Sequence, residues 1–154
     1  MAWIDNSVGY FKLDRGGVEV HGMKMDSCFV ITGDVDCSRA ERMRNYYIYL
    51  WGLPMKLKDS QASIQSPGLA DWEGVECHMV EVHYESDQWK FYFDKASFRL
   101  AGYEFVQNNG NGERILLEGE AMIGSIKVPS TRSWFVTSDN RFLGTDRLVK
   151  AIMR

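Results

Sequence analysis

Histidine, cysteine and proline are scarce in this chain, with three of each among its 154 residues. The cysteines Cys28, Cys37 and Cys77 cannot all pair within one chain, and they form no Cys-x-x-Cys motif. Because free cysteine is among the most buried residue types, we expect buried thiols, with a Cys28–Cys37 bridge as the alternative. His78 and His83 share one predicted strand on opposite faces, about 17 Å apart. The sequence therefore predicts no metal site and no cofactor.

A charge excess, a long apolar run and a catalytic motif are also missing. Eighteen basic and 21 acidic side chains leave a net charge of −3, which excludes the basic footprint of a nucleic-acid-binding protein. No apolar stretch approaches the ~20 residues of a transmembrane helix, and the first residues carry no secretory signal. Nucleophile motifs and phosphate-binding glycine loops are absent. We predict a non-enzymatic protein, and a small hydrolase using a histidine and a carboxylate is the alternative.

The composition is that of a soluble globular protein, with 45% hydrophobic and 25% charged residues. A length of 154 residues is close to the commonest size of a single domain. We expect one domain over residues 1–154, because no linker or repeat interrupts the chain.

Three short strands are predicted in the N-terminal third, at Val8–Leu13, Val18–Met25 and Cys28–Thr32. The sequence Asp14–Gly17 predicts a glycine turn between the first two strands, since glycine adopts the positive φ of tight hairpins.

An amphipathic helix is predicted from about Arg39 to Trp51. Ser38 and Glu41 match a capping box, and apolar side chains follow at the i, i+3, i+4, i+7 spacing of one helical face. Gly52 and then Pro54 end the helix, through a left-handed glycine and a residue that cannot continue the ladder.

The remaining sequence predicts an antiparallel meander. Asp59–Gly74 is predicted as a connection with at most one short strand near Ala62–Gln65. From Val75 to Trp134, strand-length apolar runs alternate with turn residues, and the tail Gly144–Arg154 is predicted as a short helix or a loosely packed segment. This order predicts an α+β fold: an open or partial antiparallel β-barrel, formed by a strongly curved meander sheet with one helix packed on the concave side.

Aromatic residues make up 13% of the chain. Trp89, Phe91 and Phe93 alternate with other residues, which predicts one wholly aromatic strand face. With Tyr47 and Trp51 of the helix, they supply more apolar surface than one covering helix requires. Core packing explains most of them, and the alternative is a concave face on which these five residues bind an acyl chain or a similar apolar ligand.

Five segments carry a resemblance to a known family: Tyr46–Pro54, Trp89–Asp94, Arg99–Tyr103, Gly124–Pro129 and Phe142–Thr145. They resemble a family of uncharacterised bacterial envelope proteins, which are similar in fold to the lipoprotein localisation carriers. The resemblance implies an open antiparallel sheet that holds acyl chains and a periplasmic or envelope-associated location. It also implies a trimmed or divergent front, because family members usually carry an export signal.

These observations lead us to expect a non-enzymatic envelope protein with a lipid-like ligand. A purely structural or assembly module is the other alternative, and exposed sheet edges leave pairing with a second copy open.

Overall fold

The computed structural model describes residues 1–53, 57, 63–85 and 87–152. The chain divides into two compact units, Met1–Lys58 and Asp59–Arg154. Each unit contains its own antiparallel sheet, and the expectation of a single domain stays a prediction.

The first unit consists of a four-stranded antiparallel sheet and a helix. Its elements are β1 (Ala2–Asp5), β2 (Tyr10–Arg15), β3 (Glu19–Lys24), β4 (Ser27–Thr32) and α1 (Cys37–Gly52). The three predicted strands and the helix are confirmed to within two residues at each end. The glycine turn is also confirmed, since Gly16 and Gly17 have φ values of 66° and 79°. Strand β1 was not predicted, and it pairs with β2 at one edge of the sheet.

The helix α1 is capped by Asp36, so the predicted capping box is wrong. The Oδ1 atom of Asp36 accepts a hydrogen bond from the Ser38 backbone N–H at 3.1 Å. Ser38 already lies in the first turn, and its hydroxyl donates to Asp36 Oδ2 at 2.6 Å. At the other end Gly52 stays helical, whereas Leu53 is extended with φ −68° and ψ 145°. The helix therefore stops because Leu53 precedes Pro54, and a residue before proline disfavours the α conformation.

A disulfide bond joins Cys28 of β4 to Cys37 in the first turn of α1, with a Cα–Cα distance of 5.7 Å. The expectation of three buried thiols is thus wrong for two cysteines, because the short β4–α1 connection returns the helix start to the strand. Cys77 is the buried free thiol. The helix packs on β2, β3 and β4, and the ring of Tyr47 stacks on Phe11 at 5.4 Å.

The second unit is a seven-stranded antiparallel sheet. Its strands are β5 (Ser63–Trp72), β6 (Val75–His83), β7 (Asp87–Asp94), β8 (Leu100–Gln107), β9 (Gly112–Glu118), β12 (Thr131–Val136) and β13 (Phe142–Arg147). They lie in the order β13-β12-β9-β8-β7-β6-β5. A separate hairpin of β10 (Ala121–Ile123) and β11 (Ile126–Val128) is inserted between β9 and β12. Among the described residues, β5 and β13 are unpaired edges, so the sheet is open and forms no closed barrel. The α+β fold with an open antiparallel meander is confirmed, although the strands form three sheets in place of one.

Two predictions in this unit are wrong. Most of the predicted connection Asp59–Gly74 is the ten-residue strand β5, while residues 58–62 and Ser86 of the predicted Ser86–Asp87 turn lie outside the described residues. The register of β5 shifts between Gln65 and Gly68, and an edge strand with such an irregularity accommodates proline. The predicted loose tail from Gly144 begins inside β13, which pairs with β12.

Candidate ligand-binding face

One side of the seven-stranded sheet forms an aromatic layer, which we call the aromatic face. Residues directly opposite each other on antiparallel strands point to the same side. The register places one row of side chains across five strands, namely Val80, Phe91, Tyr103, Ile115 and Trp134. Next to it runs a second row of Val82, Trp89 and Phe105. All except Val80 are buried.

The rings of the aromatic face contact one another continuously. Trp89 lies 4.6 Å from Phe105 and 6.1 Å from Tyr103, measured between ring centroids. Tyr103 also lies 5.7 Å from Phe91 and 6.4 Å from Trp134, the latter edge-on. These separations fall in the ~4.5–7 Å range of stabilising aromatic pairs. Trp89 and Tyr103 each contact three rings of the layer, and Tyr103 joins Trp134 to Trp89 and Phe91.

The opposite side of the same sheet, which we call the Trp72 face, is closed by different packing. Trp72 stacks on Tyr92 at 4.2 Å, and the Tyr92 hydroxyl donates to Glu104 at 2.8 Å. A Cβ atom on Gly102 would lie 2.3–2.5 Å from the Trp72 ring, so the indole occupies the space above this glycine. The sheet is buried on both faces here, in contrast to a sheet with one solvated side.

The predicted site residues are divided between the two units. Trp89, Phe91 and Phe93 lie on the aromatic face, as the alternation predicted, with Phe93 only half-buried. Tyr47 and Trp51 lie on α1 in the first unit. Contact of one ligand with all five side chains stays a prediction.

A buried charged group on the aromatic face was not predicted from the sequence. Arg132 is 2% exposed and lies two residues before Trp134, so the pleat of β12 points both side chains to the same side. Asp146 of β13 is its cross-strand neighbour, and the Trp134 Nε1–H donates to Asp146 Oδ2 at 3.1 Å. The sequence does contain one indication of it: Arg132 is a charged residue at a position of β12 where the alternation with Trp134 predicts a buried, apolar side chain.

Burial shifts the pKa values of Arg132 and of Tyr103, which lie on the same side of the sheet. Burial raises the pKa of the Tyr103 phenol, and the positive charge of Arg132 opposes that rise. Burial likewise lowers the pKa of the Arg132 guanidinium, against the opposing effects of Tyr103 and Asp146. Burial outweighs the effect of the guanidinium and keeps the phenol neutral, whereas Tyr103 and Asp146 favour the charged form of Arg132.

Two histidine–carboxylate pairs occur among the described residues. His21 Nε2 lies 3.0 Å from Glu19 Oε1, but His21 is fully buried in the first unit. His83 lies 3.6 Å from Glu81 at the end of β6, on the face opposite to His78, as predicted. Within the described ranges, no three metal-ligating side chains cluster.

A small groove lies beside the strands β7 and β8, with a volume of about 60 Å³. It is lined by Gln88, Lys90, Glu104, Phe105 and Val106. A cavity that binds benzene has a volume of roughly 150 Å³, so this groove is small for an acyl chain.

The described chain is thus an α+β protein whose open meander sheet carries an aromatic face around a buried arginine. Residues 30–151 match the model of a protein family, and the chain belongs to it: a family of unknown function, DUF6503. The resemblance to an uncharacterised family is therefore confirmed. No curated protein matches the sequence.

Three solved structures are similar to this chain at low sequence identity. A putative outer membrane lipoprotein-sorting protein domain from Vibrio parahaemolyticus has a TM-score of 0.47 at 10% identity, over 96% of this chain and 69% of that one. A DUF1329 family protein from Desulfovibrio piger has a TM-score of 0.47 at 8% identity, over 92% and 65%. A LolA superfamily protein from Nitrosomonas europaea has a TM-score of 0.44 at 11% identity, over 92% and 67%.

In the part of the chain that the structure describes, no helix has the length and apolarity needed to cross a membrane.

Proposed function

We propose that this protein is a non-enzymatic binding protein of the bacterial envelope and that it holds an acyl chain or a similar apolar ligand on the aromatic face. The observation that supports this proposal is the continuous ring layer from Trp89 through Tyr103 to Trp134. Burying an alkyl chain against such a layer gains ~0.8 kcal/mol per methylene without a specific polar contact. This chemistry suits a carrier or a sensor of lipids.

Because the aromatic face is buried, a ligand can reach it only after the protein opens. Phe91 and Tyr103 are fully buried, so an alkyl chain must displace the protein atoms that cover these rings. Binding is then coupled to a conformational change, and the observed affinity is reduced by the free energy of that opening.

The disulfide supports the envelope location. Disulfides persist in oxidising compartments such as the periplasm and are rare in the cytosol. Cys37 is exposed at the helix start, where cytosolic reductants would reach it. The Cys28–Cys37 bond is therefore a physical reason, independent of any resemblance, to place the protein outside the cytoplasm.

Binding of the neutral fluorescent probe N-phenyl-1-naphthylamine tests the proposal. Phe93 is half-buried on the aromatic face, and Phe135 is a half-buried phenylalanine on the opposite side of the sheet. We expect Phe93→Ser to weaken probe binding by about threefold or more, the value of one aromatic contact, and Phe135→Ser to leave it unchanged. Absence of saturable probe binding by the unmodified protein, together with absence of extractable lipid, would refute the proposal.

Pairing with a second copy is a separate part of the proposed assembly. Strand β4 is an edge of the four-stranded sheet, and its Val30 and Ile31 are 41% and 63% exposed. An exposed apolar edge strand can form backbone hydrogen bonds with a strand of another chain. Analytical ultracentrifugation would show a dimer that Ile31→Lys dissociates, and a monomer at all concentrations would exclude it.

A further inference from the structure

We propose that Arg132 and Tyr103 bind the carboxylate of a single-chain amphiphile whose alkyl chain lies on the aromatic face. The inference rests on the proposed function and adds the chemical class of the ligand. It starts from a guanidinium that is 2% exposed on the side of the sheet that carries the ring layer.

The position of Arg132 joins the polar group to the apolar layer. Tyr103 interacts electrostatically with Arg132, and the same phenol ring contacts Phe91 and Trp89 at 5.7 and 6.1 Å. A ligand that extends along those rings therefore has one end beside the guanidinium and the phenol hydroxyl.

The charges of this group favour a singly charged anion. A guanidinium presents five N–H donors in a planar fork, so it can hold protein neighbours and a carboxylate together. Asp146 contributes one negative charge to the same group, where it accepts from Trp134 at 3.1 Å. A dianionic phosphate would be repelled more strongly by Asp146 than a monoanionic carboxylate would, which makes a carboxylate the better complement.

The free-energy cost of burying the Arg132 guanidinium favours a role in ligand recognition. Taking a guanidinium out of water costs several kcal/mol, and apolar residues of similar volume often stabilise a protein as well or better. A buried arginine on a ring layer is therefore weak evidence for a role in stability. It is well suited to recognise an anionic group that arrives with an apolar chain.

Paired titrations of decanoate and decan-1-ol test the inference, because the two ligands have the same chain length and differ in the charged end. By isothermal titration calorimetry at pH 7.5, we expect decanoate to bind about tenfold more tightly, the value of one charge-assisted hydrogen bond. Decyl phosphate serves as the dianionic comparison and should bind more weakly than decanoate.

The variants separate recognition from folding. Arg132→Met should abolish the preference for decanoate and retain decan-1-ol binding. Tyr103→Phe removes only a hydroxyl and keeps the ring layer, so it should reduce the preference severalfold even if the arginine variant fails to fold. Tyr92→Phe is the matched control, since Tyr92 is a buried tyrosine on the Trp72 face, and it should change neither affinity.

The outcomes distinguish the two proposals. Equal binding of decanoate and decan-1-ol, or a preference that survives in both Arg132→Met and Tyr103→Phe, would overturn the inference and leave the proposed function intact. Absence of binding of either ligand would overturn the proposed function and this inference with it.

Discussion

Removal of the Cys28–Cys37 disulfide should destabilise the protein by about 3 kcal/mol. The two cysteines are nine residues apart in sequence, and closing a loop of that length removes roughly 2.5–3 kcal/mol of chain entropy from the unfolded state. The bond also fixes the start of α1 on β4 of the same unit. We therefore expect the double variant Cys28→Ala/Cys37→Ala to unfold at lower urea concentration, with a midpoint temperature lower by about 10 °C.

The assay is far-UV circular dichroism during urea unfolding, with and without dithiothreitol. The reductant should destabilise the unmodified protein to the level of the double variant and should not affect the double variant, which is its own control. Thiol titration of the unfolded, oxidised protein should find one thiol, that of Cys77. Three reactive thiols in protein isolated from the periplasm, or a stability loss below about 1 kcal/mol, would contradict the reasoning.

Three further predictions concern the sheet and the helix start. Gly102→Ala should cost roughly 2 kcal/mol of unfolding free energy because its Cβ overlaps the Trp72 ring, and in a Trp72→Ala background the cost should vanish; additive costs in urea melts would contradict this. Burial raises the pKa of the Asp87 carboxyl in the folded protein above its ordinary value of 3.8. The folded protein therefore loses stability as the pH rises from 3.8 through the raised pKa, because the unfolded chain ionises more readily. Asp87→Asn should raise the melting temperature at pH 7 but not at pH 3. Asp36→Ala should lower the melting temperature more than Ser38→Ala, since Asp36 is the cap; the reverse order would restore the capping box.

The sequence was sufficient for the elements whose signals are local. The period of α1 and the alternation of β7 depend on residues within one turn or one strand, and both predictions are confirmed. Strand β5 was missed because a run such as Ser-Pro-Gly has the composition of a loop. An edge strand with a register shift tolerates these residues, and only the position of the strand in the sheet reveals this.

The burial of β6 is a second feature that the local sequence leaves undecided. Cys77 and Val82 lie on opposite faces of this strand, and both are fully buried. In the sequence, the apolar residues of this strand alternate at odd positions up to Met79 and at even positions from Val80, which predicts either a β-bulge near Met79 or burial of both faces. The register of β6 with β7 is continuous from Cys77 to His83. A register shift does occur opposite Met79, but the extra residue lies in β5, between Gln65 and Gly68, so burial of both faces explains the pattern of β6.

The candidate site was only half predictable because its polar part is assembled from distant strands. The alternation of residues within β7 predicts that Trp89 and Phe91 share one face. Arg132 lies near Tyr103 because β9 is the single strand between β8 and β12, and this order is not visible in the local sequence. A count of aromatic residues cannot separate a core from a ligand-binding face, and the Trp72 face of this sheet, with its glycine under a stacked indole, shows how well aromatics serve a core. The two faces differ in the buried charge. A guanidinium is costly where packing is the only purpose, so position 132, and not the aromatic content, is the feature that distinguishes the aromatic face as a site.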